Sequence, residues 1–233
     1  MTTLAASIDS VLDRLSRAAT RSGRSLDDLT IVLATKLRTA AEIRAAVDLF
    51  AERGHTVEVG ENRAQEMAKH AELEDLNLTR HFIGRIQTNK ARDIVRFADL
   101  IQSVDRENLI DALERRARND GITQRILLQV NTSGEETKAG FAPDAPLIHD
   151  VLARCREGGI LQVEGLMTIG SHTGDGAEVH RSLRAARELR EQIADQAVRE
   201  LSMGMSHDLE LAVEEGATMV RLGSAVFGER SYT

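Results

Sequence analysis

The chain has no tryptophan, one tyrosine, one cysteine and two prolines in 233 residues, and aromatics make up only 3% of it. Each shortage excludes something. A lone cysteine, Cys155, cannot close an intrachain disulfide, which sets aside the stapled scaffolds of small secreted domains. It reads instead as a small buried apolar residue in a reduced compartment. So few prolines imply regular elements rather than a loop-rich fold. A formal net charge of −7 argues against a nucleic-acid or anionic-membrane surface. No apolar run approaches the length of a membrane span, and the N-terminus lacks the apolar segment of a signal peptide. A soluble, cytoplasmic protein is the expectation. Apolar residues still reach 42%, enough for one sizeable core, so residues 1–233 are read as a single domain.

What is present is a regular alternation. Ile8, Val11, Leu12, Leu15 and Ala19 recur at helical spacing and predict an amphipathic helix over 3–21. Thr30-Ile31-Val32-Leu33-Ala34-Thr35-Lys36 is a short apolar run, mostly branched at Cβ, and reads as a strand buried on both faces. Thr39-Ala40-Ala41-Glu42 has the spacing of a capping box and starts a helix closed near Gly54. Further strands are predicted over 57–59, 81–84, 100–104, 125–130, 161–168, 200–203 and 218–222. Helical segments lie between them: one through Lys69, then 89–97, a helix capped by Asp105 and ending near Asn119, one from near Pro146, 177–197 and 207–215. Short strands separated by helices imply a parallel sheet, and eight of them suggest closure. The expected fold is α/β, a single (β/α)8 TIM-type barrel whose extra N-terminal helix fills the eighth outer position.

In such a barrel the residues just after the strands converge on one face, where ligands bind. Lys36 stands there after the first strand, on this stretch alone most simply a solvated lysine, and, with its stem against apolar walls and partly desolvated, a candidate Schiff-base amine. Met203-Gly204-Met205-Ser206 and Leu222-Gly223-Ser224-Ala225 follow the seventh and eighth strands, where barrels commonly bind phosphate. Glycines and hydroxyls in both turns look like a phosphate cradle. Arg221, two residues before Gly223, is placed at the mouth, with a surface ion pair as the plainer alternative. An amine, an anion cradle and an arginine able to serve a ring nitrogen together suggest pyridoxal 5′-phosphate. A barrel aldolase or sugar-phosphate enzyme that uses Lys36 as its amine is the competing reading.

Several ordered blocks carry a closer likeness: Ala34-Thr35-Lys36; Gly60-Glu61-Asn62 with Gln65-Glu66; His81-Phe82-Ile83-Gly84 with Gln87 and Asn89-Lys90; Asn131 with Glu135, Lys138 and Gly140; Gly165-Leu166-Met167; Ser202 to Ser206; and Met219-Val220-Arg221-Leu222-Gly223 with Phe227-Gly228. In these the chain resembles the pyridoxal-phosphate homeostasis proteins, single-barrel relatives of the alanine racemase N-terminal domain. Leu37-Arg38-Thr39 departs from the family, which usually has a proline there. The resemblance implies Lys36 as the aldimine lysine and Ser206, Gly223 and Ser224 around the phosphate. It also puts Arg221 near the pyridine nitrogen, and Asn62 and Met203 beside the ring. It implies a protein that buffers or delivers the cofactor, monomeric, with apo-forms of pyridoxal-phosphate enzymes as partners. An amino-acid racemase on the same site is the alternative. Racemising relatives take a second base, a tyrosine, from a further domain, and here the one tyrosine, Tyr232, is next to last and expected to be mobile. No residue is therefore read as catalytic. Lys138, in a loop with Glu135 and Glu136, is read as solvated, with a second cofactor amine as the alternative. The seven histidines show no helical metal pair, and His172 and His180 flank a loop without a carboxylate pattern, so no metal is expected.

Overall fold

The computed structural model describes residues 3–135, 137–171 and 175–228. Within them the alternation closes on itself. The strands are β1 (Thr30–Ala34), β2 (Glu58–Glu61), β3 (Arg80–Phe82), β4 (Leu100–Val104), β5 (Gln124–Gln129), β6 (Leu161–Met167), β7 (Glu200–Ser202) and β8 (Met219–Leu222). All are parallel, each pairs with the next, and β8 pairs with β1, which makes the closed (β/α)8 barrel that the alternation predicts. Around it lie α1 (Leu4–Arg21), α2 (Ala40–Ala51), α3 (Ala91–Phe97), α4 (Glu107–Asp120), α5 (Ala145–Gly158), α6 (Gly176–Ile193), α7 (Leu209–Glu214) and α8 (Ser224–Phe227).

Local chemistry explains where these elements start. At α2 the capping box is complete: Glu42 N–H donates to Thr39 Oγ1 at 3.2 Å, and Thr39 N–H donates to Glu42 Oε2 at 2.8 Å. Thr3 caps α1 with one bond only, its hydroxyl accepting from Ala6 N–H, and α1 buries Ile8, Val11, Leu12 and Leu15. That apolar stripe packs on α2, α7 and α8, so α1 fills the outer position that α8, four residues long, is too short to cover. Arg14–Glu210 at 2.6 Å and Arg21–Glu214 at 2.7 Å fasten α1 to α7.

Four elements differ from expectation. The segment read as a helix through Lys69 is a 3-10 stretch of 13 residues, Ala64–Leu76. Its inward residues Met67, His70, Leu73 and Leu76 recur every third position, which suits three residues per turn better than 3.6. Asp105 does not cap α4: it is buried and ion-paired with Arg106, which itself holds the N-cap backbone position. Helix α6 stops at Ile193, not Ala197, because Ala194 turns left-handed and the Asp195 side chain takes the N–H of Ala197 at 2.9 Å. Helix α7 begins at Leu209, after Asp208 has captured the N–H of Met205 at 2.6 Å.

The core has two layers. Outside the sheet a continuous cluster packs the strands on the helices and includes Ile31, Leu33, Phe50, Ile101, Leu128 and Val220. Cys155 belongs to it, and burial pushes its thiol up to about 11. Inside the barrel Leu100, Leu127, Met167 and Met219 form a small apolar cluster of their own.

Candidate functional site

The carboxyl end of β1 is anchored to β2 and to the segment that follows it. Thr35 N–H donates to Gly60 O at 3.0 Å, and its hydroxyl donates to Glu61 Oε1 at 2.5 Å. Glu61 is fully buried and also meets Lys69 Nζ and His70 Nε2, each at 2.9 Å. Lys69 Nζ in turn donates to Thr35 O at 2.7 Å. On the other side of Lys36, Leu37 is left-handed with φ 61, and its N–H donates to Glu66 Oε2 at 2.5 Å. A left-handed leucine costs about 1–2 kcal/mol, and such strain gathers at functional sites. Leu37 is also exposed at 53%, so burial does not repay it. Lys36 thus projects half-buried from a backbone clamped on both sides by the 3-10 stretch after β2.

Register places its neighbours. Ala34 pairs with Gly60 and Leu33 with Leu222, so Lys36 comes level with Asn62 on one side and the turn after β8 on the other. In that turn Ser224 Oγ lies 3.0 Å from Ser206 Oγ, and Ala225 N–H donates to Ser206 Oγ at 3.0 Å. The loops after β7 and β8 are therefore joined through hydroxyls. Arg14 reaches in from α1 and donates to Ser206 O at 3.0 Å. Gly204, at φ 94, cannot be replaced, since a Cβ there would sit 2.5 Å from Ala212 Cβ.

Arg221 stands one residue before the carboxyl end of β8, and its guanidinium reaches the last residue of β7 and the residue just after β6, directly beneath the mouth. It points into the barrel from β8, 5% exposed, because an interior position of a short parallel strand faces the closed lumen. No surface ion pair holds it. Nη1 donates to Ser202 Oγ at 2.7 Å and Nη2 to Thr168 O at 2.8 Å. Burial lowers its pKa to about 10, a fall that Asp208 opposes, so the guanidinium stays charged at neutral pH. Met203 is fully buried within the outer core, and Asn62 is half-buried. Asn62 and Leu37 line a cavity of about 810 Å³ that continues over β3 and is walled by Arg63, Arg85, Lys90 and Phe82. Lys138 is part-shielded rather than solvated: it pairs with Glu135 at 2.7 Å and donates to Gly170 O at 3.3 Å. Tyr232, His172 and Glu136 lie outside the described residues.

Pyridoxal phosphate requires an amine, an anion cradle and a donor or acceptor for its ring nitrogen. The residues present fit. The sharpest sign is Gly223: a Cβ built there would meet nothing closer than Ala34 Cβ at 3.6 Å, an ordinary contact. Packing within the protein does not call for glycine at 223, whereas a ligand beside Ser206 and Ser224 would. Sequence reasoning missed Thr35, Glu61, Glu66, Lys69 and His70 as the support of Lys36. Their signal was the density of polar residues just after two apolar strands.

Comparison with known proteins agrees with this geometry. Residues 34–231 match the family described as alanine racemase, N-terminal domain. The chain is 42% identical over 226 residues to a pyridoxal phosphate homeostasis protein of Aquifex aeolicus, covering 95% of this chain and 96% of that one. It is 32% identical to the protein of the same name in Escherichia coli K12, covering 100% and 99%. Among solved structures, PipY of Synechococcus elongatus PCC7942, solved with PLP bound, superposes with a TM-score of 0.75 at 37% identity, covering 94% of this chain and 100% of that one. An alanine racemase of Clostridium difficile shares the fold at 13% identity, with a TM-score of 0.71 over 57% of its own chain and 96% of this one. With the family model matched over residues 34–231 and curated relatives 32–42% identical over nearly the whole chain, the protein belongs to the alanine racemase N-terminal domain family, among the pyridoxal phosphate homeostasis proteins.

Proposed function

We propose that this chain binds pyridoxal 5′-phosphate at the barrel mouth, holds it through an imine bond to Lys36, and buffers or hands it on instead of turning over a substrate. Ser206, Gly223 and Ser224 receive the phosphate, Arg221 meets the ring nitrogen, and Asn62 flanks the ring, whereas Met203, expected beside it, packs behind the site in the outer core. The observation that carries this reading is the register that sets Lys36 level with the linked Ser206–Ser224 turn. PipY, 37% identical and solved with PLP, supports the ligand, and the names of the curated relatives support the homeostatic role. Arg221 supports the lack of turnover. A guanidinium donates to a ring nitrogen without protonating it, which leaves the cofactor a weaker electron sink. We place the protein in the cytoplasm as a monomer of one domain, with apo-forms of pyridoxal-phosphate enzymes as its recipients.

The test is spectroscopic. Protein mixed with pyridoxal phosphate should turn yellow and be trapped by borohydride as an adduct on Lys36, and Lys36→Ala should abolish the trapped adduct while keeping the barrel folded. An adduct of undiminished yield in Lys36→Ala removes Lys36 as the amine and moves the assignment to Lys138. Incubation with L-alanine and other amino acids should give no D-enantiomer or keto acid. Turnover near 1 per second or faster, lost in Lys36→Ala, would replace the carrier reading with the racemase.

A further inference from the structure

The barrel lumen holds more than its apolar cluster. Five side chains from β2, β3, β4, β7 and β8 form one unbroken chain of hydrogen bonds across it. Arg221 Nη1 donates to Ser202 Oγ at 2.7 Å, and Ser202 Oγ donates to Gln102 Oε1 at 2.6 Å. Gln102 Nε2 then lies 2.6 Å from His81 Nδ1, and His81 Nε2 lies 2.6 Å from Glu58 Oε2. His81, Gln102 and Ser202 are fully buried, and the chain reaches a partly exposed group only at Glu58.

The direction of the links follows from the guanidinium at one end and from giving the Ser202 hydrogen an acceptor. A guanidinium only donates, so Ser202 Oγ accepts from Arg221 and turns its own hydrogen to Gln102 Oε1. That choice orients the amide and leaves its NH2 facing His81 Nδ1. Nδ1 must therefore accept, the imidazole is neutral, and its single proton sits on Nε2 and is donated to Glu58. The reverse amide orientation would leave the Ser202 hydrogen without an acceptor among the described residues, and a half-satisfied network in this lumen would be costly.

The chain also avoids what a simpler partner would do. A carboxylate set directly against Arg221 would take both arms of its fork and cancel its charge. Here the carboxylate of the chain is four hydrogen bonds away, and Asp208 acts on the guanidinium through space without accepting a hydrogen bond from it. The side chain is held by one bond to Ser202 and one to Thr168 O, and its other N–H groups make no hydrogen bond among the described residues. We propose that Ser202, Gln102 and His81 are positioning residues, anchored by Glu58, which fix the Arg221 guanidinium so that its remaining N–H groups meet the cofactor's ring nitrogen. This rests on the reading above that Arg221 faces that nitrogen.

The experiment compares two ligands on the full-length protein: pyridoxal phosphate and its carbocyclic analogue, in which C–H replaces the ring nitrogen while aldehyde and phosphate remain. Wild-type protein should prefer pyridoxal phosphate by about tenfold or more, about 1.4 kcal/mol. Gln102→Leu and Ser202→Ala should each shrink that preference to about twofold or less, with affinity for the analogue nearly unchanged, as a double-mutant comparison requires. A general loss of structure weakens both ligands alike and would not produce this pattern. If wild-type protein shows no preference, the placement of Arg221 against the ring nitrogen fails, and the proposal falls with it. If wild-type protein discriminates and Gln102→Leu and Ser202→Ala discriminate equally well, only the positioning role is overturned. A second arm needs no variant. Nitrogen-15 spectra of wild-type protein at neutral pH should show His81 as the neutral Nε2–H tautomer. The Nδ1–H tautomer or an imidazolium would contradict the direction of the chain and overturn the proposal.

Discussion

Replacing Glu61 by Gln tests whether the clamp beneath Lys36 is what the geometry makes it. The Glu61 carboxylate is fully buried, and its Oε1 gathers Thr35 Oγ1 at 2.5 Å, Lys69 Nζ at 2.9 Å and His70 Nε2 at 2.9 Å. Stranding one member of a buried ion pair costs about 3–5 kcal/mol. Lys69 would not be stranded, since Glu66 remains at 3.2 Å and Thr35 O at 2.7 Å. The amide oxygen still accepts from Thr35, and the new NH2 takes the place of Oε2, which already has no hydrogen-bond partner among the described residues. What disappears is about one charge-assisted hydrogen bond, about 2 kcal/mol. For a chain of this length that is a fall in Tm of about 4–8 °C. Urea unfolding should show a lower midpoint at unchanged slope, and amide exchange at Thr35 should quicken, because Thr35 lies on the loosened side of Lys36. A loss below about 0.5 kcal/mol, the size of an ordinary surface substitution, would refute the clamp.

Ser206→Ala and Ser224→Ala should each weaken pyridoxal phosphate binding about tenfold or more, the worth of one hydrogen bond to a charged group. Pyridoxal without phosphate should bind far more weakly, and equal affinities by titration would remove the cradle. The Arg14 hydrogen bond holds the Glu210 carboxyl below its ordinary 4.5. A carboxyl depressed in the folded state contributes stability above pH 4.5 that is lost as pH falls through the depressed value. Glu210→Gln should therefore flatten the acid limb of the stability curve, and an unchanged limb in urea titrations at several pH values would count against the pair. Because burial raises the Cys155 thiol to about 11, a thiol reagent at mildly alkaline pH should label the folded protein only at the rate of unfolding and the denatured chain at once. Rapid labelling of the native protein would show that Cys155 is not enclosed.

Much of this molecule was legible without coordinates. The run Ile31-Val32-Leu33-Ala34 announces a two-face-buried strand, because a parallel strand under a helix has no wet side. Thr39 and Glu42 announce a helix start, because both halves of a capping box are within reach of each other in sequence. Alternation then yields the barrel, and the barrel brings Lys36, Asn62, Ser206, Gly223 and Ser224 to one face whatever the details of packing. The tertiary structure decided the rest. Whether Arg221 turns outward to a surface ion pair or inward beneath the mouth depends on strand pleat and tilt, which composition does not encode. The clamp on Thr35 and Leu37 joins residues 25 to 34 positions apart. The link between Ser202 and Gln102 spans 100 positions. A single buried glutamine reads in sequence as a misplaced polar residue; its partners are assigned only when eight strands close and the lumen leaves each donor one acceptor to reach.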